Sequence, residues 1–346
     1  MTHTVFRAYG TGVAKQSRFY AQLAEAVCNH ADVLDELAVS GSRATPAALF
    51  SALHYLTLTG VQHPLAACFR SASQTNPDST VLAASFKSFM KTHAAQIAEI
   101  LRVRRFQANE LNRCSVLAPA MRVAQVVSGS ALGLLDIGAG SGLNLLFDSY
   151  VVHYSSEWCG ASLGDIDSSV RIDCELKDET ILPRLPAPTV SVRVGLDLNR
   201  TYLDDADDLR WLYACLPPDR PDQARQFAAA IEVARARHSG VVEATSGALP
   251  VMIRNLPTEV TPVVVGTRAP EQSSNSRDLD LIGPLEEAGR HRRVLWLSAE
   301  RLRSTRGTGL SWNLVEFIGH SMNSTTLADS DDLGTWLKWM YQPGSW

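Results

Sequence analysis

A chain of 346 residues, 45% hydrophobic and 20% charged, has material for one large core or two modest ones in the proportions of an ordinary globular protein. A formal net charge of -4 argues against general affinity for nucleic acid or anionic membrane. No apolar run approaches the ~20 residues of a membrane span, and the Met1–Gly10 start lacks the order of a signal peptide. Cys28, Cys68, Cys114, Cys159, Cys174 and Cys215 are scattered with no C-x-x-C pair, which predicts reduced structural thiols in a cytoplasmic protein, with neither a disulfide framework nor a zinc site.

From about Ser17 to Val127 the chain has helical periodicity and almost no strand signal. "SRFYAQLAEAVCNHADVLDEL" (17–37) repeats apolar residues at spacings of three and four. "PAALFSALHYLTLTG" (46–60) opens with proline in a first turn and closes on glycine. "SFKSFMKTHAAQIAEILRVRRF" (85–106) is amphipathic with a basic end. "NELNRCSVLAPAMRVAQVV" (109–127) predicts another helix, bent or interrupted at Pro119. From Gly133 onward, β-rich runs alternate with helices. The runs are 133–138, 170–177, 191–199, 240–245, 261–267, 293–298 and 310–320, with helices over 207–216 and 221–238. That alternation predicts an α/β fold with a parallel, doubly wound sheet. The predicted organisation is a helical region 1–127 and a sheet domain 128–346 with a strand-containing insertion around 151–190. Segment 267–280 reads as loop. Trp296, Trp312, Trp336 and Trp339 are expected to pack the C-terminal sheet and a last helix.

Asp136-Ile137-Gly138-Ala139-Gly140-Ser141-Gly142 falls where a first strand should end and a helix begin. Glycines there let the backbone bend tightly and let a ligand lie against the main chain. The spacing is G-x-G-x-G, not the G-x-G-x-x-G of a dinucleotide fold. With an acid two residues before the first glycine, it resembles the first motif of class I S-adenosylmethionine (SAM) enzymes. That ligand carries no phosphate, so the bend need only make room for the methionine part and offer backbone contacts. The alternative is a glycine turn without a ligand. The next main strand should end in an acid that accepts the paired ribose hydroxyls. Asp197, followed by Leu198, occupies such an end, although an ordinary turn residue fits there too. Its distance from Gly142 exceeds the usual ~20 residues, which requires the insertion. A third strand ends in Glu243-Ala244, where an adenine amino group would be bonded if the acid is more than a strand-end charge.

With these stretches the chain resembles the bacterial domain-of-unknown-function family 2332. They are 17–20 (SRFY), 52–69, 106–119 (FQANELNRCSVLAP), 136–150, 192–199 and 207–212 (DDLRWL). Gln107, Asn109, Glu110, Arg113, Gly138, Gly142, Leu143 and Asn144 match the family's Q-T-N-E-x-x-R and G-A-S-A-G-L-N-L patterns. The resemblance implies a class I SAM-methyltransferase-like (Rossmann-like) sheet behind an N-terminal helical lid. Two places depart from the family. "VVVGTRAPEQ" stands where a His-Ser or His-Thr pair is usual, and "LSAE" stands where Ser-Asn-Glu is usual. One branch that the chain resembles makes azetidine-2-carboxylate from SAM, releasing 5′-methylthioadenosine.

Such a cyclisation requires the methionine chain bent until nitrogen, carbon and sulfur are in line. It also requires an unprotonated amine, aromatic faces around the sulfonium and exclusion of water. Under this resemblance Gln107 and Asn109 would grip the SAM carboxylate or amine. Glu110 would orient them or hold Arg113, three residues on. The alternative for Asn109 is a helix N-cap, with Glu110 in the first turn. Tyr20, Tyr55 and Tyr154 are candidate aromatic walls, or plain core. Asp136 would meet the amine directly or through water, or be a buried acid satisfied by backbone amides. The SAM contacts expected are therefore Asp136, Gly138, Ala139, Gly140, Gly142, Asn144, Asp197, Leu198, Glu243, Ala244 and Arg113. His54 and His63 are read as structural, and the basic clusters at 102–105 and 290–293 as solvated surface. No nucleophile elbow, H-E-x-x-H or P-loop occurs. The expectation is a SAM-consuming cyclase with a small-molecule substrate and no metal, nucleic-acid or membrane partner, acting as a monomer or homodimer. The alternatives are a small-molecule methyltransferase and a noncatalytic SAM-fold binding protein.

Overall fold

A computed structural model describes residues 3–30, 45–158, 160–237, 240–266, 281–302 and 309–342. The predicted loop at 267–280, Cys159 and the end of the first predicted helix lie outside them. The described helices are α1 (His3–Val13), α2 (Arg18–Asn29), α3 (Pro46–Leu58), α4 (Pro64–Ser71) and α5 (Ser79–Val103), then α6 (Cys114–Ser128), α7 (Ala206–Ala214), α8 (Pro221–Arg237), α9 (Leu249–Asn255) and α10 (Ile282–Gly289). The first strands are β1 (Ala131–Ile137), β2 (Val151–Ser155), β3 (Gly160–Gly164), β4 (Arg171–Leu176), β5 (Val190–Asp197) and β6 (Gly240–Glu243). Then come β7 (Val260–Gly266), β8 (Val294–Arg301), β9 (Leu310–Ile318), β10 (Ser321–Ser330) and β11 (Trp336–Trp339).

Contacts divide the chain into two compact units, Met1–Ala108 with Thr201–Ala228, and Asn109–Arg200 with Ala229–Trp346. The first differs from the predicted 1–127 region in two ways: it stops at Ala108, which leaves α6 to the second unit, and it takes in α7 and the start of α8. Several of its helices begin at side-chain caps. Ser17 accepts from Tyr20 N–H, Thr45 from Ala48 N–H, and Asp78 from Thr80 and Val81 N–H. Phe6, Phe19, Phe50, Phe69, Phe86 and Phe89 fill its core. Two family stretches tie the later segment to these helices. Asp219 accepts from Ser17 Oγ–H at 2.6 Å and from Phe19 N–H at 3.0 Å, within SRFY. Asp207 and Asp208 of DDLRWL pair with Arg104, and Trp211 Nε1–H donates to the Arg105 carbonyl at 2.9 Å.

The second unit is built on one mixed sheet, ordered β3-β2-β4-β11-β10-β9-β8-β7-β1-β5-β6 among the described residues. From β8 to β6 every pairing is parallel. The order reverses at β1, with β5 and β6 on one side and β7 and β8 on the other. The purely parallel sheet of the sequence reading is corrected at the other end. There β8, β9, β10 and β11 are successively antiparallel. The inserted β2–β4 joins through a parallel β4–β11 pairing.

Two further expectations change. No α-helix follows the glycine bend, because Leu143–Ser149 is a 3₁₀ run kinked at Leu146 that leads into β2. Side chains take carbonyls that a helix would use: Tyr150 O–H donates to Leu143 O at 2.7 Å and Arg193 Nη1–H to Leu145 O at 2.6 Å. Nor is there a last helix among the described residues, since Trp336 and Trp339 stand in β11. β10, "SMNSTTLADS", is polar and its first half is mostly exposed, which leaves little hydrophobic alternation to read.

Candidate functional site

The site lies in the second unit, at the carboxyl end of β1, where the strand order reverses. Open α/β sheets bind ligands at such points. β1 is buried throughout except at its first residue, including Asp136 at 3% exposure. The chain then turns through Gly138, Gly140 and Gly142 at φ +71°, +58° and +78°. Side chains avoid this region, which explains glycine at every second position.

β5 anchors the bend. Gly138 and Ala139 N–H donate to the Leu196 carbonyl at 2.7 and 3.2 Å, and Gly142 N–H to the Ala139 carbonyl at 2.8 Å. Gly140 N–H donates to Asp197 Oδ2 at 2.8 Å, and Asn199 N–H to Asp197 Oδ1 at 2.7 Å. These amides are spent inside the fold, so they do not form the anion nest of a phosphate-binding loop. Each Asp197 oxygen retains a second lone pair for a hydroxyl donor. Gly195, which the sequence reading missed, permits the close approach. A Cβ there would stand 2.6 Å from Ala139 Cβ and 3.0 Å from Val241 Cγ2. The available signal was a glycine inside the strand run "RVGLD".

The strand ladder brings several expected residues to one edge. Asp136 is level with Gly195, and Asp197 with Glu243. Glu243 is exposed, Leu198 is 49% exposed, and Ala244 packs against the apolar cluster of this unit. Asn109 meets the bend from another direction: Ser141 Oγ–H donates to Asn109 Oδ1 at 3.0 Å. Asn109 has a left-handed backbone, φ +47°, a conformation that costs of order 1 kcal/mol and that clusters at functional sites. It is not a helix cap. A 3₁₀ turn, Leu111–Arg113, follows it with Glu110 at the cap position and no side-chain cap bond. Glu110 and Arg113 are half-buried.

Asn144 Oδ1 accepts from the Cys114 thiol at 3.4 Å. Burial, then the carboxylates of Asp136 and Asp148, push the Cys114 pKa well up, so the group is a protonated donor. Arg193 pairs with Asp148 at 2.6 Å and holds the 3₁₀ run after the bend.

The remaining expected residues are held by partners of their own. Tyr154 is buried, and its hydroxyl donates to the Ser115 carbonyl at 2.6 Å. Tyr20 is buried in the first unit, where its hydroxyl donates to Leu216 O at 3.4 Å. Gln107 is buried in that unit too. Tyr55 donates to Asp207 there. Among the described residues no helix is long and apolar enough to cross a membrane, and no group of three or more His, Cys, Asp or Glu is placed to hold a metal.

The fold and this edge define a mixed α/β protein with a glycine bend at the reversal of its sheet. Residues 3–339 match the family described as "Uncharacterized protein conserved in bacteria" (DUF2332), and the chain belongs to that family. Neither the curated proteins nor the solved structures contain a match to it.

Proposed function

We propose that the second unit binds SAM as substrate at the glycine bend, and that the chain closes it to azetidine-2-carboxylic acid with release of 5′-methylthioadenosine. The observation carrying the ligand reading is the anchoring of the bend. Its amides turn inward while Asp136, Asp197 and Glu243 stand at the carboxyl edge, an arrangement suited to hydroxyl and cationic groups and not to phosphate. In this reading Asp197 accepts the ribose hydroxyls, Leu198 and Ala244 flank adenine, and Glu243 accepts from its amino group. Asn109 meets the SAM carboxylate, with Ser141 holding its carbonyl oxygen. Asp136 lies toward the amine. Family resemblance supports the choice of reaction. The amine lone pair attacks the methylene carbon beside the sulfonium, the carbon–sulfur pair leaves with sulfur as a neutral thioether, and the ammonium proton is lost to a carboxylate or water.

Incubating the purified chain with SAM alone tests the proposal. The expected products are methylthioadenosine and the cyclic amino acid in equal amounts. S-Adenosylhomocysteine formed only after an acceptor is added would replace cyclisation with methyl transfer. No product despite bound SAM would point to a noncatalytic binding protein, and no binding at all would overturn the ligand reading.

A further inference from the structure

The first unit contains a separate cleft of about 330 Å³ between α3, α4 and the Leu216–Ala224 segment. This volume falls at the lower end of small-ligand sites. One wall is the stacked pair His54 and Phe69, with ring centroids 5.1 Å apart at 28°. Tyr213, Leu216 and the conformationally stiff Pro217, Pro218 and Pro221 also line the cleft. Burial pushes the His54 pKa down to about 4 despite carbonyls at Ala214 and Leu216, so the ring presents a neutral aromatic face at neutral pH.

The charge is at the mouth. Arg220 is already engaged, with Asp222 at 2.9 and 3.1 Å and with the Gln16 carbonyl at 3.3 Å. Arg70 is exposed, lines the cleft, and makes no ion pair among the described residues. One uncommitted guanidinium above an aromatic slot matches one carboxylate on a flat apolar body.

We propose that the cleft binds a small aromatic carboxylate, its ring against Phe69, Tyr213 and Leu216 and its carboxylate on Arg70. This site is independent of the glycine bend. Calorimetry on the full chain with phenylacetate tests it, with 2-phenylacetamide as the uncharged analogue and acetate as the analogue without a ring. Saturable phenylacetate binding is expected, weaker by about tenfold or more for either analogue and for the Arg70→Gln variant. Ala224→Trp, which fills the cleft from α8, should abolish it. Circular dichroism and thermal melts check that both variants remain folded. No saturable heat up to about 10 mM phenylacetate, equal binding of the amide, or unchanged binding in either folded variant would overturn the proposal.

Discussion

Pro119 stands inside α6 without interrupting it, and one hydroxyl accounts for that. Proline has no N–H, so the carbonyl four residues earlier, Ser115, loses its helical donor. Tyr154 O–H supplies a replacement at 2.6 Å. The Tyr154 hydroxyl is therefore committed to α6. Tyr154→Phe should cost about 1–3 kcal/mol in denaturant unfolding, the range for orphaning a buried acceptor. In a Pro119→Ala background, where residue 119 regains its N–H, the same change should cost clearly less; equal losses would remove the explanation. His54 gives a pH prediction. Its folded pKa, about 4, lies below the ordinary 6.5, so the folded chain binds fewer protons than the unfolded one between these values. Stability should fall as pH drops below 6.5, with the loss complete near 4 at about 3 kcal/mol. Unfolding curves at pH 7 and pH 5 for the native chain and His54→Gln check this, since the variant should show a flatter dependence.

At the scale of elements, the glycine bend depends on a residue outside it. The motif 136–142 announces the turn, but the turn rests on β5 only because Gly195 has no side chain. Gly195→Ala should destabilise by about 1–3 kcal/mol and weaken binding of methylthioadenosine by about tenfold. Titration of the folded variant measures the second effect, and unaltered affinity would sever the bend from the ligand. The C-terminal turn acts similarly on the segment that carries Asn109. Gly334 has φ +74°, and a Cβ there would meet the Asn112 carbonyl oxygen at 2.4 Å; Ser115 Oγ–H donates to the Gly334 carbonyl at 2.8 Å. Most strands and helices were legible, because their apolar residues repeat at the period of the element. The 3₁₀ run after the bend was not. Its leucines and phenylalanine fit a helix pattern, and the competing donors, Tyr150 and Arg193, are assigned only by the tertiary fold.

At the scale of the molecule, the proposed SAM contacts belong to the second unit. A saturating ligand confined to it should stabilise that unit by about 2.7 kcal/mol at a concentration one hundred times Kd. Amide exchange with and without methylthioadenosine should slow in peptides covering 134–142 and 195–199. Slowing confined to the first unit would place the ligand elsewhere. Local patterns alone determined the helical start, the β-rich remainder, the glycine bend and family membership, because periodicity, glycine spacing and short motifs are written in neighbouring residues. Tertiary structure decided which unit holds 201–228, the mixed rather than parallel sheet, and the roles of Tyr154, Gly195 and Ser141. Those depend on hydrogen-bond partners and close contacts between residues far apart in the chain, whose pairing no local pattern encodes.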